Sequence, residues 1–490
     1  MKKKTIILIS ILLLLFSVTT FSQIRTITLD EVFELAETQS LDVLVTKNTY
    51  LASYWQYRNY KSELLPNITL EGDIPVLNRS LNSYLKEDGT YGFVRNNSLT
   101  ENLSLSLTQN IPFSGGSFSV QTLAQRIDYL GDNKTTNYMS VPYSFVLQQP
   151  LFSSKTLKWA MRIEPERYKE ASQQYYVNIE TIHMKVIDYY FDLLLAKINL
   201  NNAEINQNNA NQLYDMAIGK KSIGLLSQDE LLQLELGKIN AEAGVISAKQ
   251  VFDNKMMTFR NYLRLGEHEI LIPVIPDAFS NSNVTLEQVM KLAYQNNPLN
   301  HNMERRLLES QMRIDQAKVN RDFRADLFLS FGATGSDLTL PKSYSNLLDR
   351  QIVSIGIKVP ILDWQRGKGR VEMAKSEREV VKSQVEQERL SFEQNIILSV
   401  SQFHDQSRLV NLAQHADSIA QLRYKTAFQI FVMGQINVLN INNAQLERDN
   451  AKRKYINELY MLWLCYHKIR QLTLYDFENN TEINNQTLPR

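Results

Sequence analysis

Residues 27–36 read ITLDEVFELA, and residues 284–293 read VTLEQVMKLA. The two stretches agree at five positions with one shared offset of 257 residues: Thr28, Leu29, Val32, Leu35 and Ala36 against Thr285, Leu286, Val289, Leu292 and Ala293. In each stretch a threonine precedes an apolar helical pattern with an acidic residue near its start, which is typical of a helix whose N-cap is the threonine. The recurrence of a whole helix start predicts that the chain is a duplication.

A second pair of matching stretches lies further along each half, QQPLF at 148–152 and KVPIL at 358–362. Their offset is 210 residues, and the same offset carries Gly224 to Gly434. The proline of each stretch and the following glycine are therefore 74 residues apart in both halves. Because the two offsets differ, the first half has about 47 more residues than the second between its opening helix and its proline.

Between the proline and the glycine of each half, apolar residues recur at alternating steps of three and four, which predicts a coiled coil. Glycine and proline are rare, 17 and 12 of 490 residues, so the predicted elements are long. Two long helices are predicted at about 154–219 and 366–431, each roughly 100 Å in length. Each is expected to be covered by two shorter helices placed end to end: 40–64 and 227–264 in the first half, 298–322 and 437–470 in the second.

Residues of alternating character connect the short helices to the long ones. Leu103, Leu105 and Leu107 alternate with small polar residues, and 353–359 alternates in the same way. This period predicts strands within about 66–150 and 325–360, in either a half-buried sheet or a membrane barrel. The extra residues of the first half contain a probable hairpin that turns at Gly115 and Gly116, so that four strands precede the first long helix and two the second. The pattern is compatible with this hairpin inside the barrel or outside it.

The N-terminus has the features of a secretory signal peptide. Three lysines precede an apolar run and small residues, with cleavage expected near Ser22. The run is shorter than the roughly 20 residues that a spanning helix needs, and no cysteine lies near for a lipid anchor. Export and alternating strands together favour a membrane barrel. The predicted organisation is a signal peptide at 1–22, a first repeat at 23–283, a second repeat at 284–473 and a polar tail at 474–490.

Composition and motifs exclude several functions. With 53 basic and 52 acidic residues, the chain has no basic excess for binding nucleic acid. The patterns of serine hydrolases, zinc proteases and P-loop NTPases do not occur, so no enzyme is expected. Cys465 is the only cysteine, and with His467 it has no third ligand nearby in the sequence, so neither a metal nor a cofactor is predicted. The polar end from Asn479 is expected to be disordered.

These features resemble the TolC-like family of outer membrane efflux proteins. The resemblance covers nearly the whole mature chain: the duplicated TLxxxxxLA start, LPNI at 65–68 before the first strand, QPLF at 149–152 after the last one, and Tyr-x2-Ala-x6-Gly before each helical turn. It implies an α+β membrane protein and a homotrimer. In this arrangement coiled-coil hairpins form an α-helical barrel in the periplasm, and the strands share one β-barrel in the outer membrane.

The same resemblance implies a passive exit duct of a tripartite efflux or type I secretion system, gated by iris-like opening of the hairpin tips. Its partners would be outer membrane lipid, a periplasmic adaptor protein and an inner-membrane transporter of the RND or ABC type. A structural coiled-coil tether or surface fibre is the alternative, and it predicts neither docking turns nor a hollow bore. The cargo, whether drug, metal, polysaccharide or polypeptide, is not indicated by the sequence.

The resemblance places adaptor contacts at the turns between paired helices. The candidate docking residues are Gly224, Leu225, Leu226 and Ser227 in the first turn and Gly434, Gln435, Ile436 and Asn437 in the second. The two glycines fit a C-cap role with positive φ equally well. The candidate gate residues are Asp229, Glu230, Phe431, Asn440 and Asn443. Since the family type has carboxylates where Asn440 and Asn443 stand, we expect divalent cations to block this pore more weakly than a carboxylate ring would allow.

Overall fold

A computed structural model describes residues 24–131, 134–152, 156–222, 224, 226–266, 269–279, 284–433, 435–436, 438–483 and 488–489. The predicted signal peptide lies outside the described residues. The chain forms two compact units. The first comprises the chain up to Leu51, Ser172–Asn297 and the chain from Leu390 onward, and the second comprises Ala52–Ala171 and Pro298–Arg389.

The two halves of the chain repeat one order of elements. The first half contains β1 (Ile24–Ile27), α1 (Leu29–Gln39), α2 (Leu41–Glu63), β2 (Asn67–Leu85), β3 (Tyr91–Ile111), β4 (Gly116–Tyr129), β5 (Thr135–Pro150), α3 (Thr156–Ser222), α4 (Gln228–Leu263) and β6 (Ile270–Pro273). The second half contains α5 (Leu286–Asn296), α6 (Leu299–Arg321), β7 (Arg324–Asp337), α7 (Leu340–Ser343), β8 (Leu348–Lys358), α8 (Arg366–Val432), α9 (Val438–Thr473), β9 (Tyr475–Asp476) and β10 (Thr481–Glu482). Both halves share the order of two opening helices, strands and a long helical hairpin, and the six helices lie within three residues of their predicted ranges.

The two opening helices begin as their sequences predict. Thr28 Oγ1 accepts a hydrogen bond from the backbone N–H of Glu31 at 3.3 Å, and Thr285 Oγ1 accepts one from Gln288 at 3.4 Å. Each threonine is therefore the N-cap of its helix, α1 or α5. Two of the recurring apolar positions are fully buried behind each cap, Val32 and Ala36 in α1 and their counterparts Val289 and Ala293 in α5.

The core of the first unit lies around the middle of α3. Heptad positions such as Val186 and Leu193 are fully buried there. The start of α2 meets the end of α4 beside this helix, where Tyr262 Oη donates a hydrogen bond to Asp42 Oδ2 at 3.4 Å and Lys185 of α3 pairs with the same carboxylate at 2.6 Å. The expected end-to-end arrangement of two short helices along a long one is thus confirmed in the first half. Over the described residues, no helix combines the length and apolarity that crossing a bilayer requires.

The second unit contains one sheet of six strands in the order β2-β3-β4-β5-β7-β8. Every neighbouring pair is antiparallel. The hairpin that the first half adds turns between β3 and β4, where Gly115 has a φ of 75°, and both of its strands belong to this sheet. Four strands of this sheet come from the first half and two from the second, as the alternation of residues before each long helix predicts.

The expectation of a disordered end from Asn479 is wrong at its beginning. Strands β9 and β10 pair, and Ile483, 6% exposed, packs with Leu474 and Tyr176. A few apolar residues inside a polar stretch are enough to pack this segment against α3. The asparagine-rich composition of the segment gave no indication of this packing.

Candidate functional site at the helix turns and the sheet surface

The turn between α3 and α4 is closed by Ser227, the N-cap of α4. Ser227 Oγ accepts a hydrogen bond from the backbone N–H of Glu230 at 3.1 Å, and Glu230 Oε2 accepts one from the backbone N–H of Ser227 at 2.9 Å. This capping box satisfies two N–H groups at the start of the helix. Hydrogen bonds from the backbone and the hydroxyl of Ser227 hold the pKa of Glu230 below its ordinary value. The candidate gate acid therefore shapes the turn that carries the first docking residues.

Gly224 adopts a left-handed conformation in this turn, with a φ of 76°. Its N–H donates to the carbonyl of Lys221 at 3.0 Å. A Cβ at Gly224 would lie more than 4 Å from the other described atoms, so a side chain would not clash here. Glycine is favoured at this position because of the positive φ angle. The C-cap role is thus present, and the space beside the exposed glycine is compatible with the approach of a partner. Leu225, Gly434 and Asn437 lie outside the described residues.

The two turns share one hydrophobic cluster, which we call the tip cluster. Its buried members come from all four helices of the two hairpins: Leu213, Ala217, Leu234, Phe431 and Ile441. Leu226 of the first turn and Ile436 of the second pack against it. The ammonium of Lys220 lies 5.6 Å from the centroid of the Phe431 ring, within cation–π range. Since the cluster is shared, a displacement of one turn disturbs the packing of the other.

The remaining candidate gate residues lie around the tip cluster. Asp229, Asn440 and Asn443 are exposed, as is Gln435 of the second turn. Asn440 and Asn443 are three residues apart on α9 and so share a face of that helix. Of the five candidate gate residues, the structure places Phe431 in the cluster, Glu230 in the capping box, and one carboxylate and two amides at the surface.

Polar side chains join the two hairpins directly beside the tip cluster, against which Tyr424 packs. Asn209 Nδ2 of α3 donates to Tyr424 Oη of α8 at 2.6 Å, and the Arg448 guanidinium of α9 stacks 4.3 Å from the centroid of the Tyr424 ring. Arg448 also donates to Asn206 Oδ1 at 2.8 Å, and Asn206 in turn donates to Asp449 Oδ2 at 2.9 Å. We call these five residues the hairpin network. Burial raises the pKa of Tyr424, which therefore remains a neutral donor and acceptor in the network.

One face of the six-stranded sheet, here called the apolar face, presents large apolar side chains to the surroundings. The strand register places them in rows that cross the sheet, one of which contains Ile68, Leu107, Val120, Phe145 and Phe331. Other members are Leu70, Leu103, Leu105, Phe118, Leu147, Leu329, Val353 and Ile355. Most of them are exposed, for example Ile68 at 69% and Leu105 at 43%, whereas Val120, Leu147 and Leu329 are half-buried. A continuous exposed apolar surface that extends over several strands is typical of a site that contacts lipid or another protein.

The opposite face of the sheet carries mainly small and polar residues, although Val146, Phe328 and Ile352 also lie on it. Ser119, Ser144 and Ser330 lie on it and are buried, and Ser144 Oγ is 3.1 Å from Ser330 Oγ. Ser106 lies on this face beside Leu105 and Leu107, which point to the other. A sheet with its apolar side exposed and its polar side enclosed has the polarity of a membrane-spanning β-structure with a wet interior.

Solved structures share this architecture over most of the chain. The CmeC outer membrane channel of Campylobacter jejuni is 14% identical, with a TM-score of 0.64 over 91% of this chain and 85% of that one. The outer-membrane channel OprN is 13% identical, with a TM-score of 0.63 and coverages of 91% and 89%. The outer membrane protein VceC of Vibrio cholerae is 11% identical, with a TM-score of 0.62 and coverages of 91% and 95%. The chain has the outer-membrane channel fold.

Neither a protein-family model nor a curated protein sequence matches the chain. The likeness to known channels therefore resides in the fold, at 11 to 14% identity among the three named. The resemblance to TolC-like proteins, drawn from the duplicated motifs, is confirmed at this level. The outer-membrane channel fold also accounts for the order of elements, since each half supplies strands and then a helical hairpin.

A buried cluster of charged and imidazole groups lies where α1, α3 and α9 pack together in the first unit of the channel fold. Glu180 is fully buried, and its Oε2 lies 2.8 Å from His467 Nδ1. Arg470 Nη2 is 3.0 Å from Glu180 Oε1, and Arg470 Nη1 is 3.1 Å from Asp476 Oδ2. We call the following residues the Glu–His cluster: Glu37, Glu180, His183, His467, Arg470 and Asp476.

The groups of this cluster shift one another's titration. Burial raises the pKa of Glu180, but contacts with His183 and His467 outweigh it, so the pKa lies well below its usual range. Burial lowers the pKa of His183, but the nearby carboxylates of Glu180 and Glu37 prevail and raise it to about 9. Burial prevails at His467 and lowers its pKa to about 4. Glu180 therefore remains a carboxylate at neutral pH.

Sequence reasoning did not find this cluster because its members are far apart in the chain, 287 residues in the case of Glu180 and His467. One local signal was present. Glu180 and His183 are spaced by three residues on α3 and therefore share a helix face. The partner imidazole required the fold.

Proposed function

We propose that the chain is an outer-membrane exit duct, a passive conduit of a tripartite efflux or secretion system. The observation that carries the proposal is the polarity of the sheet, with its apolar face exposed and small polar residues on the other side. Each of the six strands has at least 11 residues, enough for the 9–11 that a tilted membrane strand needs. The fold shared with solved outer-membrane channels supports the same assignment.

The two sheet edges support assembly with further copies of the chain. β2 and β8 are the edge strands of the sheet that the described residues form, and they run antiparallel to each other. The β8 edge of one copy therefore fits the β2 edge of the next in an all-antiparallel ring. In a homotrimer, six strands from each copy give eighteen, a number at which barrels enclose an aqueous channel. On this proposal the extra hairpin of the first half widens the outer-membrane barrel.

The helical hairpins would form the periplasmic α-barrel, and their turns would meet the periplasmic adaptor and the inner-membrane transporter, of the RND or ABC type. The exposed turn residues Gly224, Ser227 and Gln435 support a docking role. The tip cluster and the hairpin network would hold the closed state, because both join the first hairpin to the second. Opening then requires the network hydrogen bonds to break while the hairpins move apart.

The amides of α9 lead to a prediction on cation block. Replacing Asn440 and Asn443 by aspartate should lower the divalent cation concentration that blocks the pore by about tenfold or more, since 1.4 kcal/mol of added attraction changes affinity tenfold. Single-channel recording in planar bilayers with added divalent cations measures this. Asn442→Asp is the matched control, because it adds the same charge to another face of α9. Strong block of the unmodified pore by micromolar cations, unchanged in Asn440→Ala, would contradict the proposed amide constriction.

Electron microscopy of the detergent-purified protein tests the conduit itself. A threefold, hollow, tapering tube is expected, with a density ring of eighteen strands at its wide end, six from each copy. A thin solid rod would support the structural tether in its place. A compact particle without a bore would overturn both.

A further inference from the structure

The Glu–His cluster contains two buried nitrogens without a hydrogen-bond partner among the described residues, His183 Nδ1 and His467 Nε2. The two histidines are 5% and 1% exposed. Buried polar atoms nearly always have hydrogen-bond partners, because burial without one costs the hydration free energy of the group and replaces it with no other interaction. Two such atoms in one cluster indicate that something else satisfies them. An unprotonated imidazole nitrogen is the commonest protein ligand of transition metals.

The three side chains bring possible ligand atoms close together. One ligand atom each from Glu180, His183 and His467 lies within 4.8 Å of the other two. His183 Nδ1 is 3.4 Å from Glu180 Oε1, which is long for a hydrogen bond. Two ligands bound tetrahedrally to zinc at 2.0–2.1 Å are separated by roughly 3.3 Å. The separation of the nitrogen and the oxygen is therefore that of neighbouring ligands on a metal ion.

The surroundings of these three side chains have the features of a metal site's outer shell. His183 Nε2 lies 2.7 Å from Glu37 Oε1, so a carboxylate fixes this nitrogen of the imidazole. The other nitrogen, Nδ1, faces Glu180. Glu180 is itself held by Arg470, which Asp476 holds in turn. Carboxylate–histidine–metal chains and hydrogen-bonded ligating carboxylates are the usual outer shell of zinc. Glu37 is 44% exposed and lies at the solvent side of the cluster, where an ion can enter.

The charge of the cluster favours a divalent ion. A metal ion that binds His183 must displace the proton of its imidazole, as metal ligation by histidine requires. With both imidazoles then neutral, the carboxylates of Glu37, Glu180 and Asp476 outnumber the guanidinium of Arg470 by two charges. Two nitrogen donors and one carboxylate suit zinc and similar transition ions, whereas calcium and magnesium take oxygen ligands. We infer that Glu180, His183 and His467 form a binding site for a divalent transition metal ion of the zinc type. The ion would join α3 of the first repeat to α9 of the second, and the site is independent of what the conduit carries.

Metal analysis of the full-length, detergent-purified protein tests the site. The protein is stripped with a chelator, equilibrated with zinc alone, freed of unbound ion and measured by mass spectrometry. About one zinc per chain is expected, lost in His183→Gln and in His467→Gln. Glu37→Gln leaves the three ligands in place and should weaken zinc binding by about 10- to 100-fold.

His301→Gln is the matched control. His301 is likewise paired with a glutamate, its Nδ1 lying 2.5 Å from Glu166 Oε2, but it belongs to no metal-ligand group among the described residues. Its zinc content should equal that of the unmodified protein. Less than a tenth of an equivalent in the unmodified protein, or full binding in the variant that lacks both His183 and His467, overturns the site. If the histidine variants do not fold, the visible absorption spectrum of cobalt added to the unmodified protein tests the site. A strong spectrum typical of tetrahedral cobalt is expected, and a weak octahedral spectrum also overturns the site.

Discussion

Leu105→Arg should abolish stable insertion of the sheet into the outer membrane, whereas Ser106→Arg should leave insertion nearly intact. Leu105 lies on the apolar face, opposite Leu70 on β2, and is 43% exposed. On the proposed barrel its side chain faces the lipid. An arginine on the lipid face costs about 2–4 kcal/mol near the bilayer midplane in each copy, and a homotrimer carries three such residues. Ser106 points to the water-filled side, where an added charge remains hydrated.

The measurement compares the two variants in the same cells and in detergent. The fraction of each variant that sediments with the outer membrane and resists unfolding by dodecyl sulfate without heating reports barrel assembly. Equal loss in both variants would indicate a general folding defect. Equal retention would show that the apolar face does not contact lipid and would remove the main support for the conduit.

Much of the fold was predictable because helices of this length leave a periodic signal that no other structure produces. The 67-residue helices α3 and α8 each carry heptad spacing over many turns, and a glycine marks the turn after α3. Thr28 and Thr285 were predictable as N-caps because capping needs only residues three positions apart. These signals are local, and duplication presents each of them twice.

Contacts between distant strands and helices had no comparable signal. Alternation predicts a strand but not its neighbours, so the place of the hairpin at Gly115 followed only from the pairing of β3 and β4 with the rest of the sheet. Phe431 resembled a gate residue by position, yet it is a core residue of the tip cluster, because α3 and α8 converge there. The same holds for the hairpin network, whose members belong to three helices.

The Glu–His cluster adds a different constraint to the channel fold. On the proposed function, the conduit opens at its tips while its strands remain assembled. The Glu–His cluster lies in the first unit together with the tip cluster. Its contacts connect helix α3 of one repeat with α9 of the other through charge and imidazole groups, whereas the turns are joined through apolar packing. A substitution that removes a charge should therefore weaken the Glu–His cluster, whereas a substitution that removes apolar packing should weaken the tip cluster.

Glu180→Gln should destabilise the first unit by about 3–5 kcal/mol, because breaking a buried ion pair is strongly destabilising. The substitution removes the buried carboxylate that contacts both Arg470 and His467, and Arg470 keeps only Asp476 as an ionic partner. Glu180 is fully buried, and the Arg470 side chain that it pairs with is 18% exposed. Glu388→Gln is the matched control, since Glu388 also pairs with an arginine but is 41% exposed. An exposed pair of this kind contributes about 1 kcal/mol or less.

Thermal and denaturant unfolding at one fixed protein concentration, with chelator present, separate this ion pair from any bound metal. With the other three tryptophans of the chain replaced by phenylalanine, Trp463 reports locally by fluorescence, because its ring centroid lies 6.0 Å from that of His467. Arg470→Met completes a double-mutant cycle with Glu180→Gln. The two effects should be non-additive by about 0.5–3 kcal/mol, as expected of residues in direct contact. Additive effects, or a loss no greater than that of Glu388→Gln, would mean that this ion pair does not hold α3 and α9 together.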